Sequence, residues 1–207
     1  MLTDLACAWP AFLDRALTIV SDRPPLGPVR YRFDEVNART VPAGPSSSGV
    51  PTSVLVVPEP FVATDFEPPT ILESERFRLE PLGPQHNEAD HAAWTSSIAH
   101  IRSTPGFPDG KWPPPQGMSL DQNLDDLRRH AADFDARTGF TFTVLDPATS
   151  DVIGCVYLYP AESPDADVTA QSWVRSSHAE LDVPLADAVA AWLTAEWPWE
   201  RIHRPGR

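Results

Sequence analysis

Proline decides where this 207-residue chain can hold long regular elements, because it locks φ and removes a backbone donor. Twenty-four prolines are present, against a usual share of about 5%. Eleven fall in residues 1–69, seven in 70–118 and six in 119–207. The first third is thereby cut into short pieces, while the last third can carry full helices and strands. Pro10 suits the first turn of a short helix over 10–21, with Phe12, Leu13, Ala16, Leu17 and Val20 at helical spacing. Val29, Tyr31 and Phe33 then alternate with Arg30, Arg32 and Asp34, the period of a half-buried strand over 29–36. From Thr40 to Pro58 the chain is uncharged for 19 residues. Four prolines and Ser46-Ser47-Ser48 within it mark a linker running into a short strand at 53–57, not a membrane span. The expected division is an N-terminal segment over 1–60 and a domain over 61–207.

The texture changes at Ile71. Phe77 and Leu79 alternate with Arg78 and Glu80 in a strand that reaches Leu82. Asn87 can cap a helix whose inner face is His91, Trp94, Ile98 and Ile101. An irregular loop over 103–118 follows, with prolines at its corners. Ser119 and Gln122 form a capping box ahead of Leu120, Leu124, Leu127, Ala131 and Phe134, and Gly139 ends that helix. Three strands come next: Phe140–Val144, the apolar run Val152–Tyr159, and Val168–Arg175. A last helix starts at Asp182 with Pro184 in its first turn and closes at Pro198, leaving room for one short strand at Arg201–His203. The order β-α-α-β-β-β-α-β predicts an α+β fold: a mixed, mostly antiparallel sheet flanked by helices, with a proline-rich N-terminal extension.

Several function classes are excluded by composition. A formal net charge of −13 opposes general binding to nucleic acid, which needs a surplus of Lys and Arg to displace counterions. Residues 1–60 contribute −1 of that charge and 61–207 contribute −12. Cys7 and Cys155 make neither a disulfide framework nor a metal knuckle. The six histidines lack metal-ligand spacing, so no metal is expected. The N-terminus lacks the positive charge of a signal peptide, which predicts a soluble, cytoplasmic protein without a membrane partner.

The opening strand Phe77-Arg78-Leu79-Glu80-Pro81-Leu82, the stretches Gly139–Asp146, Val152–Leu158 and Ala170–Arg175, and the element order together resemble the first half of the GNAT N-acetyltransferase superfamily. The resemblance covers about residues 71–203. It implies acetyl transfer from acetyl-CoA to a small-molecule or peptide amine. It also implies that the strand ending Trp173-Val174-Arg175 splays from its neighbour and holds the pantetheine arm, with Ser176, Ser177 and Ala179 at the pyrophosphate. The chain departs from the family pattern after Arg175, where Ser176–Pro184 contains no glycine and places Glu180 and Asp182 where phosphates would sit. It also stops before the usual helix and two strands. Helix 10–21 and strands 29–36 and 53–57 come in the missing order, as a circular permutation would place them; the alternative is an unrelated extension. A non-catalytic, GNAT-derived module that binds a protein or ligand is the second functional expectation. A sheet edge left open would favour a homodimer.

Individual residues admit two roles each. Tyr157 and Tyr159 share a face of the central strand; Tyr157 would protonate the departing thiolate, or pack with its hydroxyl bonded. His178 would act as base, or sit solvated in a loop. Glu162, Asp165 and Asp167 would attract a cationic amine, or form a soluble hairpin tip. Cys155, beside Gly154, is a small core residue.

Overall fold

A computed structural model describes residues 61–107 and 112–207. The expected helix 10–21, strand 29–36 and strand 53–57 lie outside the described residues. Among the described residues six strands form one sheet in sequential order: β1 (Leu72–Glu73), β2 (Arg78–Pro81), β3 (Phe140–Leu145), β4 (Val152–Pro160), β5 (Val168–Val174) and β6 (Ile202–His203). Every neighbouring pair is antiparallel except β5 with β6. Helices α1 (Asn87–Thr95), α2 (Ile98–Ile101) and α3 (Leu120–Ala136) lie between β2 and β3, and α4 (Asp182–Glu196) lies between β5 and β6. The α+β class is as expected, with β1 added ahead of the expected first strand.

Period-two alternation divides the strands between two cores. Leu79, Phe142, Val156, Leu158, Val168 and Val174 pack with Leu185, Val189, Trp192 and Leu193 of α4. On the opposite face Cys155, Tyr157, Tyr159 and Trp173 meet Trp94, Ile101 and Leu127 of the other helices, with Phe107 and Trp112 from the long loop. Strand β4 is buried along its length to Tyr159 because both faces are covered, which explains its nearly unbroken apolar sequence.

Three local expectations are corrected. The helix predicted to run to Ile101 breaks at Ser96-Ser97, where Ser96 Oγ turns back to Ala93 O at 2.8 Å. Serine hydroxyls compete in this way with the helical ladder. Asn87 is the first helical residue, not the cap. Its side chain donates to Leu120 O and accepts from Asn123 Nδ2, tying α1 to α3. Helix α3 keeps its capping box but ends at Arg137 (φ 59°), two residues before Gly139. The Arg137 guanidinium grips the carbonyls of Ala63, Thr64 and Phe66, holding the left-handed turn. Gly139 is required for a different reason: a Cβ there would meet the Tyr159 ring at 2.2 Å.

Candidate active site

Strand β5 is paired with β4 over its whole length, from Val168 to Val174, but with β6 only at Val168 and Thr169. Beyond that point β6 has ended, and the sheet opens. The Val168 amide donates to Arg201 O across this edge, so alternation turns the N–H and C=O of Ala170 and Ser172 the same way. No strand covers these groups among the described residues. On the α4 side the opening is bordered by Ala170, Ser172, Ala186 and Ala190 together with Arg204 and Arg207. Arg204 pairs with Asp187 at 3.0 Å and Arg207 with both oxygens of Asp182 at 2.7 Å. The gap they border is narrow, about 10 Å³, at the lower limit of the room that one water needs.

The turn after β5 is anchored from two sides. The Arg175 amide donates to Ile153 O at 2.7 Å, and its guanidinium reaches Ser96 Oγ at 3.3 Å. The Ser176 amide donates to Ser97 Oγ at 3.1 Å, so the break between α1 and α2 supplies the partner for the first residue of this turn. Residues Ser176–Leu181 form a 3-10 turn that leads into α4, with Ser177 and Ala179 exposed. Of the two carboxylates expected against a phosphate, Asp182 is offset by Arg207, while Glu180 is exposed.

The residues singled out from the sequence form two pairs. Tyr157 is 4% exposed and its hydroxyl accepts from Trp173 Nε1 at 3.1 Å, with Trp112 and His130 against its ring. Burial pushes the phenol well above its ordinary pKa, so it stays protonated. On the surface turn, Ser177 Oγ and His178 Nδ1 lie 2.9 Å apart. Val174 is buried against α4. Cys155 is buried, donates to Phe142 O at 3.1 Å, and has its thiol pushed far up by desolvation.

Sequence reasoning missed a polar network inside the α1–α3 face. Asp90, 5% exposed, accepts from Asn123 Nδ2 at 3.0 Å, and Asn123 Oδ1 accepts from Trp94 Nε1 at 2.8 Å. Burial raises Asp90 to about 6, with Asn123 opposing and Asp126 adding to the shift. His130 lies 2.8 Å from the Tyr159 hydroxyl, which donates to Asp133 at 2.9 Å; burial lowers this histidine to about 3. Asp90 and Asn123 lie 33 residues apart, so local periodicity carries no sign of their meeting. A second missed feature is a hollow of about 460 Å³ on the sheet face away from α4, bordered by Glu162, Ser163, Thr169, Gln171, His203 and Pro205. Another hollow, of about 1130 Å³, lies beside Phe61, where the described residues begin. Among the described residues no group of three His, Cys, Asp or Glu is placed to hold a metal, and no helix is long and apolar enough to cross a membrane.

No family model and no curated protein match the sequence. Solved structures do match. The ribosomal-protein-S5-alanine acetyltransferase of Vibrio fischeri aligns over 66% of this chain and 73% of its own, at 12% identity and a TM-score of 0.51. A Vibrio cholerae protein classed provisionally as a ribosomal-protein-serine acetyltransferase aligns over 65% and 72%, at 10% identity and a TM-score of 0.51. A GCN5-related N-acetyltransferase from Brucella melitensis covers 64% of this chain and 58% of its own, at 19% identity and a TM-score of 0.47. At such identities the first two likenesses establish a fold.

Proposed function

We propose that this chain, which has the GNAT N-acetyltransferase fold, transfers an acetyl group from acetyl-CoA to an amine. The open edge of β5 carries the proposal. Ala170 and Ser172 offer alternating N–H and C=O groups where β6 has ended, a fit for the amides of an extended pantetheine arm. Small side chains at Ala170, Ala186 and Ala190 leave room beside that edge once Arg204 swings aside. At the anionic end, the strand terminus Trp173-Val174-Arg175 leads into Ser176, Ser177 and Ala179 and then into α4, whose N-terminal dipole end favours negative charge. Acetyl-CoA, when bound, supplies a thioester carbonyl as the electrophile. In this arrangement His178, between Ser177 and Ala179, stands at the anionic end and not at the thioester. Tyr157 is held as the neutral phenol, the state needed to donate a proton.

The closed gap favours a second reading, a non-catalytic module that keeps the fold and binds another partner. Thermal denaturation with acetyl-CoA separates the two. A ligand at a hundred times its dissociation constant adds about 2.7 kcal/mol, or about 5–10 °C for a chain of this size. An unchanged midpoint at millimolar acetyl-CoA refutes the transferase and leaves the module.

A further inference from the structure

We propose that the hollow beside Phe61 seats a segment of this same chain, residues 53–57, and is neither a ligand site nor a face for a second copy. The inference is independent of acetyl transfer. Residues 53–57 lie outside the described residues, and their reach is set by where the described chain begins. That point is firmly placed. The Phe61 ring stacks on Trp199 with centroids 4.6 Å apart, and its carbonyl accepts from Trp199 Nε1 at 3.1 Å. Val62 is buried, and Arg137 holds the carbonyls of Ala63, Thr64 and Phe66. Phe61 and Val62 belong to the wall of the hollow, so the preceding residues join the chain there.

Reach, polarity and charge select the occupant. Pro58, Glu59 and Pro60 separate the segment from Phe61. A proline-rich stretch extends at about 3.1 Å per residue, which keeps Val57 within about 12 Å of Phe61. The wall carries exposed apolar groups at Ala63, Ala136, Pro160 and Pro198. Its cations are already engaged: Arg201 pairs with Asp167, and Arg137 is taken by the three carbonyls and by Glu67 at 3.7 Å. Glu200 is the charged member without an ion pair among the described residues, so the hollow offers nothing to an anion. An uncharged, apolar occupant fits. Val54, Leu55, Val56 and Val57 stand in the uncharged run 40–58 and can be buried without stranding a charge. A tether this short gives an effective concentration of the order of millimolar, which favours the chain's own segment over that of a second copy.

The test uses the full chain with methyl-labelled Ala, Leu and Val. Nuclear Overhauser contacts are expected from the methyls of residues 54–57 to the Trp199 indole and the Ala136 methyl. In a mixture of labelled and unlabelled chains, contacts filtered for separate molecules should be absent. Contacts seen only between molecules would give the hollow to a second copy and overturn the assignment, as would the lack of any contact. Leu55 and Val56 face opposite sides of an extended segment. One of Leu55→Asp and Val56→Asp is therefore expected to erase the contacts and lower the thermal midpoint by about 5 °C, while the other leaves both unchanged. Equal behaviour of the two variants would overturn the extended seating.

Discussion

Gly154→Ala tests whether the end of β4 is as closely pressed against β5 as the structure has it. A Cβ at Gly154 would lie 2.3 Å from Trp173 O and 3.2 Å from Val174 Cα, both backbone atoms of the adjoining strand. Carbon–oxygen contact is comfortable only beyond about 3.3 Å, so the strands must part by about 1 Å. Relief is limited, because Trp173 and Val174 are fully buried on opposite faces and the Arg175 amide is bonded to Ile153 O. Overpacking of this kind costs about 1–3 kcal/mol. Removing a glycine stiffens the unfolded chain and returns about 0.4–1 kcal/mol where the native conformation allows it. A net loss of about 1–2 kcal/mol follows, lowering the thermal midpoint by about 2–8 °C. Urea denaturation at pH 7, by tryptophan fluorescence and by far-UV circular dichroism, measures it. Because the strain falls at the head of the open edge, acetyl-CoA binding should weaken in the same variant. Stability within 0.5 kcal/mol of wild type would refute the close approach.

Three further outcomes are expected. Asp90 has a folded pKa near 6, above its unfolded 3.8, so it lowers stability progressively as pH rises from about 4 to 6, by up to about 3 kcal/mol. His130, lowered from 6.5 to about 3, acts in the opposite sense: stability is lost as pH falls through that interval. The two slopes largely cancel between pH 4 and 6. Asp90→Asn, which keeps an acceptor for Asn123, should therefore be more stable than wild type at pH 7 and decline visibly between pH 6 and 4; parallel urea curves at every pH would refute the coupling. Ser97→Ala removes the acceptor of the Ser176 amide and should cost about 1–2 kcal/mol while accelerating hydrogen exchange at Ser176. Unaltered exchange there would show that the turn is held by other means. Arg207→Ala leaves the Asp182 carboxylate uncompensated at the start of α4 and should weaken acetyl-CoA binding about fivefold, with Asp182→Asn restoring most of it in the double variant; independent, additive effects in titration calorimetry would count against the pairing.

Local patterns in the sequence were enough for most of the framework. The Ser119–Gln122 capping box, the start of α4 at Asp182, and the apolar run of β4 each depend on residues within one or two turns of one another. Alternation and helical spacing are therefore sufficient to read them. The break at Ser96-Ser97 escaped because those hydroxyls bond either to the backbone or to solvent, and only packing against Arg175 and Ser176 made the bent form the better one. Arg137 gave no local sign of a left-handed turn; its three distant carbonyl partners hold it there.

The site divides along the same line. The net charge of −13 and the absence of glycine from Ser176 to Pro184 belong to the sequence, and they set the electrostatic problem that an anionic cofactor would face. The tertiary structure decided how that charge is distributed. It placed Arg207 on Asp182, enclosed Tyr157 beneath Trp173 and Trp112, and brought Glu162 and Gln171 to one hollow with His203. Such meetings join residues that are dozens of positions apart, and what selects them is the register of β5 with β4 and β6. That register follows from burying two apolar faces at once, a property of the assembled sheet and not of any segment within it.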